Sequence, residues 1–552
     1  MRQAGSQDAQ GWSGVGAALG VALLAAALRA LVWTRTAAIH NDGPIFLGLA
    51  QLLAEGEWRA ALAHAFHPLY PACTAAAHAL LAGLGLAEGP GGWERAGALV
   101  SIASGAAAVF AAFWLLRWTV GRELALAGSA ILAVHPYAVA YSSDVQSDGL
   151  YLALFLGSTA CGWRALRDGD PRFAAGAGAG SALAYLTRPE GIGVAAVVGL
   201  LLGVRAVRGP RSRRSVAAAA SLAAVALALC APYLLHLRES SGSWALTRKK
   251  SVLELSGAAP VRAWIAIDGP AELLREQPFL ETVMHGPRRA ELLAAPASAP
   301  IGPSPWARHA KALRSLAQGW VSGLRPELFL LALLGAGWRG RRAPELPFFA
   351  ALGLLYGAAL YGMAYGAGYV NRRHVLPVAL LSLGFASAAL PPLGAALGRV
   401  LSRWIAAAPG WTRQRRGAAL VGAALLALIA LPKTLEPRRG DGLAERRAAE
   451  WLARQPGETG PVAAAKQRVA YYADASFVPL LAPDPSSAHA EVLPTLAYLQ
   501  SAGARFLVVD DRWLDGALAG DLAAGRGLRR LYRAEAGESG ASVYAVEAGP
   551  GS

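Results

Sequence analysis

Charged residues are scarce in this chain of 552 residues: only 16% are Asp, Glu, Lys or Arg, while 55% are hydrophobic. A soluble domain carries about 25% charged residues, and stretches such as VALLAAAL and FLLALLGAG have no polar face. The formal net charge of +16 would by itself suggest a nucleic-acid partner. The apolar composition argues against nucleic acid and against a disordered chain. It predicts a membrane protein.

Cysteine is also rare. Cys73, Cys161 and Cys230 lie in separate apolar stretches and have no ligand spacing, so we expect neither a disulfide framework nor a zinc site. The first apolar stretch has no clean small-residue cleavage site after it. We therefore expect an uncleaved first membrane span rather than a removed signal peptide.

Apolar stretches long enough to cross about 30 Å of hydrocarbon predict eleven spans. They cover residues 14–34, 97–116, 124–142, 148–164, 173–187, 191–204, 215–236, 320–337, 346–366, 374–396 and 417–432. A further apolar run at residues 67–86 is nearly long enough, so the distribution of positive charge must decide whether it crosses.

Lys and Arg concentrate in cytoplasmic loops of membrane proteins. If residues 67–86 do not cross, eleven spans place the N-terminus and every arginine cluster in the cytoplasm and the C-terminus outside. The clusters lie at residues 117–122, 164–172, 205–214, 339–342 and 399–416. We therefore predict that residues 35–96 form one large external loop with an interfacial helical segment.

The last part of the chain has a different composition. Residues 433–552 contain 14 Lys and Arg and 15 Asp and Glu, so the positive surplus belongs to residues 1–432. The tail shows amphipathic helices at residues 444–454 and 493–503 and strands at 504–511 and 541–548. The predicted fold is an all-α polytopic membrane core, residues 1–432, followed by a small external α/β domain, residues 433–552.

Ionisable residues beside a membrane span are energetically expensive, and each is a candidate functional residue. Asp42 directly follows the first span and precedes a helix that Pro44 can open. It could act as a base or cap that helix through the amides of Ile45 and Phe46. His67, in HPLYP, could donate a hydrogen bond to an anion or serve a structural role.

The other candidates are acids and arginines at the same predicted external ends of spans. Asp144 and Asp148 precede the fourth span, where both could be helix caps. Arginine forks fit phosphate oxygens, although the arginines could instead extend to lipid headgroups. The candidate binding residues are Arg188 and Glu190 in YLTRPEG, Arg372 and Arg373 in NRRHVLP, and Lys249 and Lys250 in the 237–319 loop.

These segments, in this order, resemble the GT-C superfamily of polyprenyl-phosphate-sugar-dependent glycosyltransferases. The resemblance is to the branch of protein O-mannosyltransferases and aminoarabinose transferases, and it covers about residues 15–400. It is carried by IHNDGPIFLGLAQLLAEGEW, HPLYP, HPYAVAYSSDVQSDGLYL, YLTRPEG and RRHVLP. It implies a polytopic helical core with interfacial helices in the first loop, and often a soluble C-terminal domain.

The resemblance also implies roles for individual residues. The essential acid of the first loop corresponds to Asp42, and a second acid before the fourth span corresponds to Asp148 better than to Asp144. The donor would be a polyprenyl-phosphate sugar. Protein O-mannosyltransferases typically have two adjacent acids where this chain has Asn41 and Asp42, and aminoarabinose transferases often have Lys where it has His67. The acceptor, whether glycan, lipid or protein, therefore stays open.

Several alternatives accompany this hypothesis. A transporter or flippase of a lipid-linked or anionic solute is the rival function, but such proteins place polar groups at the bilayer midplane in repeated halves, and no repeat is visible in this sequence. Asp42 and Asp148 could share a divalent cation, which we leave unassigned. The tail could be a sensor or interaction module. The Ala, Gly and Arg bias suggests a bacterial inner membrane.

Overall fold

The protein is described by a computed structural model that covers most of the chain. The residues described are 14–88, 91–208, 212–250, 254, 262, 264–265, 270–286, 304–339, 343–401, 415–456, 460–480, 496–510, 527–537 and 539–547. Helices dominate up to residue 435, and a small sheet with its own helices follows.

The helices before the sheet follow one another along the chain. They are α1 (Val15–Thr34), α2 (Gly43–Ala54), α3 (Trp58–Leu62), α4 (Leu69–Gly83), α5 (Gly91–Thr119), α6 (Arg122–Val134), α7 (Pro136–Ser142), α8 (Asp148–Asp168), α9 (Pro171–Thr187), α10 (Gly193–Arg208), α11 (Ser212–Ser241), α12 (Ala271–Glu276), α13 (Phe279–His285), α14 (Pro305–Leu324), α15 (Pro326–Arg339), α16 (Leu346–Ala367), α17 (Arg372–Ala379), α18 (Leu383–Ala388), α19 (Leu390–Leu401) and α20 (Arg415–Leu435). Short 3₁₀ turns at Pro189–Ile192 and Leu380–Ser382 lead into α10 and α18.

Among the described residues, six helices are long and apolar enough to cross a membrane. They are Val15–Thr34, Gly91–Thr119, Pro189–Arg208, Arg213–Ser241, Leu346–Ala367 and Arg415–Leu435. The count rises to eight if each of two bent pairs is one span, namely Arg122–Val134 with Pro136–Ser142 and Arg372–Ala388 with Leu390–Val400. The polytopic helical class is therefore confirmed.

The predicted count of eleven spans is not confirmed. The predicted span at 173–187 corresponds to α9, which has only 17 residues. The one at 320–337 is divided between α14 and α15 at Arg325. The one at 148–164 corresponds to α8, which has 21 residues but begins with Asp148 and carries Arg167 in its last turn. Among the described residues, several of the predicted apolar stretches therefore do not correspond to one long, continuous apolar helix.

The 61° bend between α6 and α7 leaves helix-end carbonyls that side chains from distant helices satisfy. Pro136, which has no N–H, opens α7. Arg29, buried within α1, donates to the Ala133 carbonyl at 3.1 Å, and Thr434 donates to the Val134 carbonyl at 2.7 Å. Arg29 is a charged residue within a predicted span, but sequence reasoning did not single it out. Its contacts give it a structural role.

The segment predicted to be a large external loop contains α2, α3 and α4, and none of these three helices meets the length and composition criteria for a span. This agrees with the expectation that residues 67–86 do not cross. The helix α2 packs on α4 through the rings of Phe46 and Tyr70, whose centroids lie 5.0 Å apart. Tyr70 donates to the Gly97 carbonyl at 3.0 Å, which attaches α4 to α5.

The described residues of the tail form a mixed five-stranded sheet. Its elements are α21 (Leu443–Ala453), β1 (Val462–Ala464), α22 (Gln467–Tyr472), β2 (Phe477–Pro479), α23 (Leu496–Ser501), β3 (Phe506–Asp510), β4 (Leu528–Ala536) and β5 (Ser539–Val546). The strand order is β2-β1-β3-β5-β4, with β1 parallel to β2 and β3, and β5 antiparallel to β3 and β4. The α/β prediction is confirmed, and α21, α23, β3 and β5 fall where it placed them.

The sheet domain and the first loop share one hydrophobic core. Buried side chains of α2, including Leu47, cluster with Ala448 of α21, Val469 of α22 and Val543 of β5. The tail is therefore packed on the loop that contains Asp42. The last membrane helix, α20, ends at Leu435, close to the predicted domain boundary, and the division into two domains stays a prediction.

Candidate active site

Five separate segments bring charged side chains together at one end of the helical core. They are the loop between α1 and α2, the start of α8, the turn after α9, residues 247–250, and the start of α17. In each case the charged residue lies at or just before the first turn of a helix or in a connecting segment. Backbone amides at helix starts carry partial positive charge, which favours carboxylates there and attracts anions.

Asp42 pairs with Arg373 across 331 residues of sequence. The Asp42 Oδ2 atom accepts a hydrogen bond from Arg373 Nη1 at 2.7 Å. Asp42 occupies the position just before α2, with Pro44 in the first turn, but its side chain makes no capping hydrogen bond. The alternative role of Asp42 as a helix cap is therefore wrong, and its carboxylate is available to the site.

Asp42 is an ionised acid that retains access to solvent. Its side chain is 25% exposed. Burial acts to raise the pKa of Asp42, but His40, Arg373 and Lys249 together outweigh it and hold the pKa below its usual value. The group is therefore a carboxylate at neutral pH.

Arg373 has hydrogen-bonding capacity to spare. Its Nε is buried and has no hydrogen-bond partner among the residues the structure describes. Asp148 and Arg188 lie close enough to Arg373 to interact with it electrostatically. A guanidinium with one nitrogen on Asp42 and another unused can still receive an anionic oxygen.

A second ion-pair group lies beside the first. Arg188 donates to Asp148 Oδ1 and, through Nε, to Glu190 Oε1 at 2.7 Å. Asp148 is the first residue of α8, and the residue before it, Ser147, makes no side-chain cap hydrogen bond. The Asp148 side chain is 9% exposed and that of Glu190 is 32% exposed. Arg188 is thus engaged by two carboxylates, and Glu190 is the more accessible of the pair.

The remaining predicted cations differ in their positions. Lys249 is exposed, with its Nζ 4.9 Å from the centre of the Phe66 ring, and it is close enough to Asp42, Glu190 and Arg373 to interact with them electrostatically. Arg372 is also exposed and lies over the Tyr137 ring at 5.0 Å. Lys250 is exposed to solvent. Among the described residues, Lys249 and Arg373 are the cations that face Asp42 most directly.

His67 is turned into the protein. Its Nδ1 lies 2.5 Å from the Tyr185 carbonyl, and its Nε2 lies 3.2 Å from the Thr247 hydroxyl. Nδ1 must carry the proton that the carbonyl accepts, so the Thr247 hydroxyl donates to Nε2. Burial lowers the pKa of His67 to about 4. Nδ1 therefore fixes the ring to α9, Nε2 holds Thr247 at the start of the 247–250 segment, and His67 is uncharged at neutral pH.

Asp144 is fully buried and joins the tail to the Asp42 loop. Its two carboxylate oxygens accept from the His40 amide at 3.2 Å, the Val145 amide at 2.8 Å, the Gln146 side chain at 3.0 Å and the guanidinium of Arg439. It does not cap α8. Asp148, which the sequence hypothesis prefers over Asp144, stays the candidate for the acid beside the site.

Tail residues fix the backbone that leads to Asp42. Arg439 donates to the Ala38 carbonyl at 2.7 Å, and Gln467 donates to the Asn41 carbonyl at 2.5 Å. The Ile39 amide donates to the Tyr472 hydroxyl at 3.0 Å. Sequence reasoning missed this role of Arg439 and Asp144. The signal available was a pair of arginines directly after the last span, in EPRRGDG.

A metal site of protein ligands does not emerge in the described part of the chain, where no group of three or more His, Cys, Asp or Glu side chains could hold an ion. Asp42 and Asp148 each pair with a different arginine. Their carboxylates would have to leave those arginines to share a cation.

Part of the chain matches a known family. Residues 75–236 match the family model of dolichyl-phosphate-mannose-protein mannosyltransferase. This stretch contains Asp148, Arg188 and Glu190, whereas Asp42 and Arg373 lie outside it. No curated protein sequence matches the chain.

The fold is similar to solved structures over nearly the whole chain. Crystal structures of ArnT from Cupriavidus metallidurans, in the apo state and bound to undecaprenyl phosphate, give TM-scores of 0.55 and 0.54 at 15% identity, with 98% of this chain and 100% of that chain covered. The archaeal oligosaccharyltransferase AglB from Archaeoglobus fulgidus gives a TM-score of 0.48 at 13% identity, with 96% of this chain and 74% of that chain covered.

The similarity to ArnT establishes the fold, and the family match supplies an independent sequence signal within it. Together they confirm the resemblance inferred from the sequence. The chain has the GT-C fold and, over residues 75–236, matches the dolichyl-phosphate-mannose-protein mannosyltransferase family model.

Proposed function

We propose that this chain transfers a sugar from a polyprenyl-phosphate-linked donor to an acceptor hydroxyl at the outer face of the membrane. The observation that carries the proposal is the Asp42 carboxylate held 2.7 Å from Arg373, whose Nε is still unused among the described residues. A base and a phosphate-binding cation are the two groups that this reaction requires.

The reaction replaces one bond to the anomeric carbon by another. The acceptor oxygen forms a bond to that carbon while its proton passes to Asp42, and the bond from the carbon to the phosphate oxygen breaks. Polyprenyl phosphate leaves as a stable anion, so it needs cations more than it needs a proton. Direct displacement of this kind inverts the configuration at the anomeric carbon.

Donor binding would change the environment of Asp42. In the structure Arg373 donates to Asp42 through Nη1, while its Nε has no hydrogen-bond partner among the described residues. A donor phosphate competes with Asp42 for the guanidinium, because two anions then face one cation. Loss of that pairing raises the pKa of Asp42 toward its usual value and makes the carboxylate a stronger base. Binding of the donor phosphate would thus strengthen the base that the transfer reaction requires.

The other charged residues support binding. Lys249 is placed to add positive charge to the phosphate side of the site, because it interacts with Asp42 and Arg373. Arg188 is already engaged by Asp148 and Glu190, so this group is suited to hold hydroxyls of the sugar or acceptor rather than phosphate. Lys250 and His67 lie at the edge of the site. His67 positions the segment that contains Lys249 through its hydrogen bond with Thr247.

The polyprenyl chain has a path beside the arginines. An open groove of about 710 Å³ is lined by Tyr137 together with Ala317, Val321 and Pro326 of the α14–α15 region. Arg372 lies over the same Tyr137 ring at 5.0 Å. We place the polyprenyl chain in this groove, so that Arg372 lies beside the point where the chain joins the phosphate.

The orientation in the membrane follows from the arginine clusters. The clusters at 205–214, 339–342 and 399–416 include residues outside the described ones, so their support comes from the sequence. With those clusters in the cytoplasm and the odd number of eleven spans predicted from the sequence, we place the N-terminus in the cytoplasm, the sheet domain outside, and the transfer site at the outer face of a bacterial inner membrane. A transporter would instead place its charged groups near the bilayer midplane.

The proposal is tested by comparing lipid-linked sugars and surface glycans in cells with and without this protein. We expect one polyprenyl-phosphate sugar to accumulate and one glycan modification to disappear in its absence. The purified protein should then form the same linkage from that donor, with the anomeric configuration inverted when the product is examined by NMR. Transport without any new glycosidic bond would refute the proposal.

A further inference from the structure

A second large cavity lies where the sheet domain meets the first loop and α5. Its volume is about 500 Å³, within the range of about 300–1,000 Å³ typical of small-molecule sites. Four parts of the chain line it: α2, the start of α5, the α12–α13 region, and the helices α21 and α22. None of the residues proposed for sugar transfer lines this cavity.

The walls combine aromatic rings with planar hydrogen-bonding groups. Trp93 and Tyr471 supply aromatic surface, and Gln51, Glu450 and Asp474 supply amide and carboxylate oxygens. Sugars present C–H groups that pack on aromatic faces and hydroxyls that donate to carboxylates. Side chains of this kind can accept from several neighbouring hydroxyls at once. The lining therefore suits a saccharide.

The charges of the lining do not favour a phosphate. Glu94, Glu450 and Asp474 outnumber Arg446 and Arg454. Arg446 is already engaged, since its Nε donates to Glu450 at 2.8 Å and its Nη1 lies 3.5 Å from Glu94. The lining thus has no surplus of positive charge, in contrast to the Arg373 region. It fits a neutral or amino-substituted ligand.

Two lining residues contact the backbone that leads to Asp42. Arg446 donates to the Ala37 carbonyl at 3.4 Å, and Tyr472 accepts from the Ile39 amide at 3.0 Å. Both residues belong to the tail and lie between the cavity and the 37–42 segment. A ligand that orders these side chains would also order the segment that positions Asp42.

We propose that this cavity is a saccharide-binding site, separate from the transfer site, for a neutral or amino-substituted sugar chain. Its occupancy restrains residues 37–42 through Arg446 and Tyr472. The proposal concerns binding, and it holds whether or not the sugar transfer described above is correct.

The test uses the purified full chain in detergent without any donor. Binding of mannotriose, chitotriose and the glucosamine trimer is measured by thermophoresis, with inorganic phosphate as the anionic probe. Asp474 has a positive φ of 48°, a conformation that Asn tolerates well, so Asp474→Asn removes the charge with little effect on the backbone. Trp93→Ala removes the aromatic surface. The matched controls are Glu57→Gln and Trp58→Ala, at exposed positions in and next to α3.

We expect at least one trisaccharide to bind. Asp474→Asn and Trp93→Ala should each weaken its binding about tenfold, because each variant loses one strong hydrogen bond or one stacking contact. Both controls should bind as the unchanged protein does. The bound trisaccharide should also slow amide exchange in residues 37–42. If none of the three saccharides binds, if both cavity variants bind normally, or if phosphate displaces the saccharide, the proposal is wrong.

Discussion

Two acid–arginine pairs flank the same short loop, and they differ in what surrounds them. Asp42 pairs with Arg373 in a position where its side chain is 25% exposed. Asp144 pairs with Arg439, is fully buried, and accepts three further hydrogen bonds from His40, Val145 and Gln146. The first pair has an unused donor on Arg373 among the described residues, whereas the carboxylate of the second is saturated.

The difference separates a reacting group from a supporting one. A carboxylate that accepts four hydrogen bonds in the interior has no lone pair for a substrate, and removing it leaves a partly buried guanidinium without its charge partner. A carboxylate with one arginine and access to solvent can exchange that partner. The same two residue types thus support chemistry in one place and hold the loop in the other.

The largest expected effect is on catalysis by the Asp42 variant. Asp42→Asn keeps the size of the side chain but removes its ability to accept a proton. We expect kcat to fall about 10²- to 10⁴-fold, the usual contribution of general acid–base catalysis, with a Tm close to that of the unchanged protein. Asn41→Ala, at the exposed neighbour, should retain activity. Full activity of Asp42→Asn would remove Asp42 from the mechanism.

The second effect is on stability, at Asp144. Asp144→Asn breaks a buried pair, and we expect unfolding to become easier by about 3 kcal/mol or more, seen as a lower Tm in detergent. Asp168→Asn is the control, because Asp168 pairs with Arg164 and Arg167 at a partly exposed position, where the cost is about 1 kcal/mol or less. Equal Tm values for the two variants would contradict the distinction between the pairs.

A smaller effect is expected at Arg373. Arg373→Lys keeps the charge but loses the planar fork that can hold Asp42 and a phosphate together. We expect KM for the lipid-linked donor to rise about tenfold, equivalent to about 1.4 kcal/mol of binding, while kcat changes less. Arg372→Lys, at the residue that lies over Tyr137, should have a smaller effect on KM. A larger increase in KM at Arg372 would reverse the assignment.

A further effect, which is small near neutral pH and grows in acid, is a pH dependence of stability that separates His67 from the acid pairs. The folded-state pKa of His67 is about 4, below its ordinary value of 6.5, because of burial. The unfolded chain therefore binds more protons between these values, and the free energy of unfolding falls as the pH falls, by up to about 3 kcal/mol near pH 4. Asp42 keeps its charge over this range, since its pKa is lowered.

This dependence can be measured as the Tm between pH 7 and pH 4. His67→Gln removes the titrating group, so its Tm should fall less over the range than that of the unchanged protein. Identical slopes would show that the loss of stability in acid arises elsewhere.

Much of the architecture could be predicted from composition and periodicity. The scarcity of charge and the long apolar stretches indicate membrane helices, and alternating hydrophobicity near the C-terminus indicates the sheet. Strands β1 and β2 were not predicted because each has only three residues, too few for a periodic pattern. The number of spans stays a prediction, because hydropathy does not show where a helix is interrupted, as at Arg325 between α14 and α15.

The candidate site was predicted as a set of residues but not as a set of contacts. Asp42, Asp148, Arg188, Glu190, Arg373 and Lys249 could be selected because charge beside a membrane span is expensive. His67 could not be distinguished from a phosphate ligand, because its partners, Tyr185 and Thr247, lie more than a hundred residues away in the sequence. The three residues between Asp144 and Asp148 likewise give no sign that only one of the two carboxylates has all its hydrogen-bonding capacity used.

The sequence by itself determined that this protein lies in a membrane, that its core is helical, and which few charged residues are candidates for catalysis or binding. It could do so because hydrophobic free energy depends on composition and local pattern. Only the tertiary structure decided which acid meets which arginine, since those partners come from segments as far apart as Asp42 and Arg373. It also decided that the tail supports the Asp42 loop, through contacts such as that of Arg439 with Asp144. Electrostatic and hydrogen-bond energies depend on distance and burial in space, which no local pattern contains.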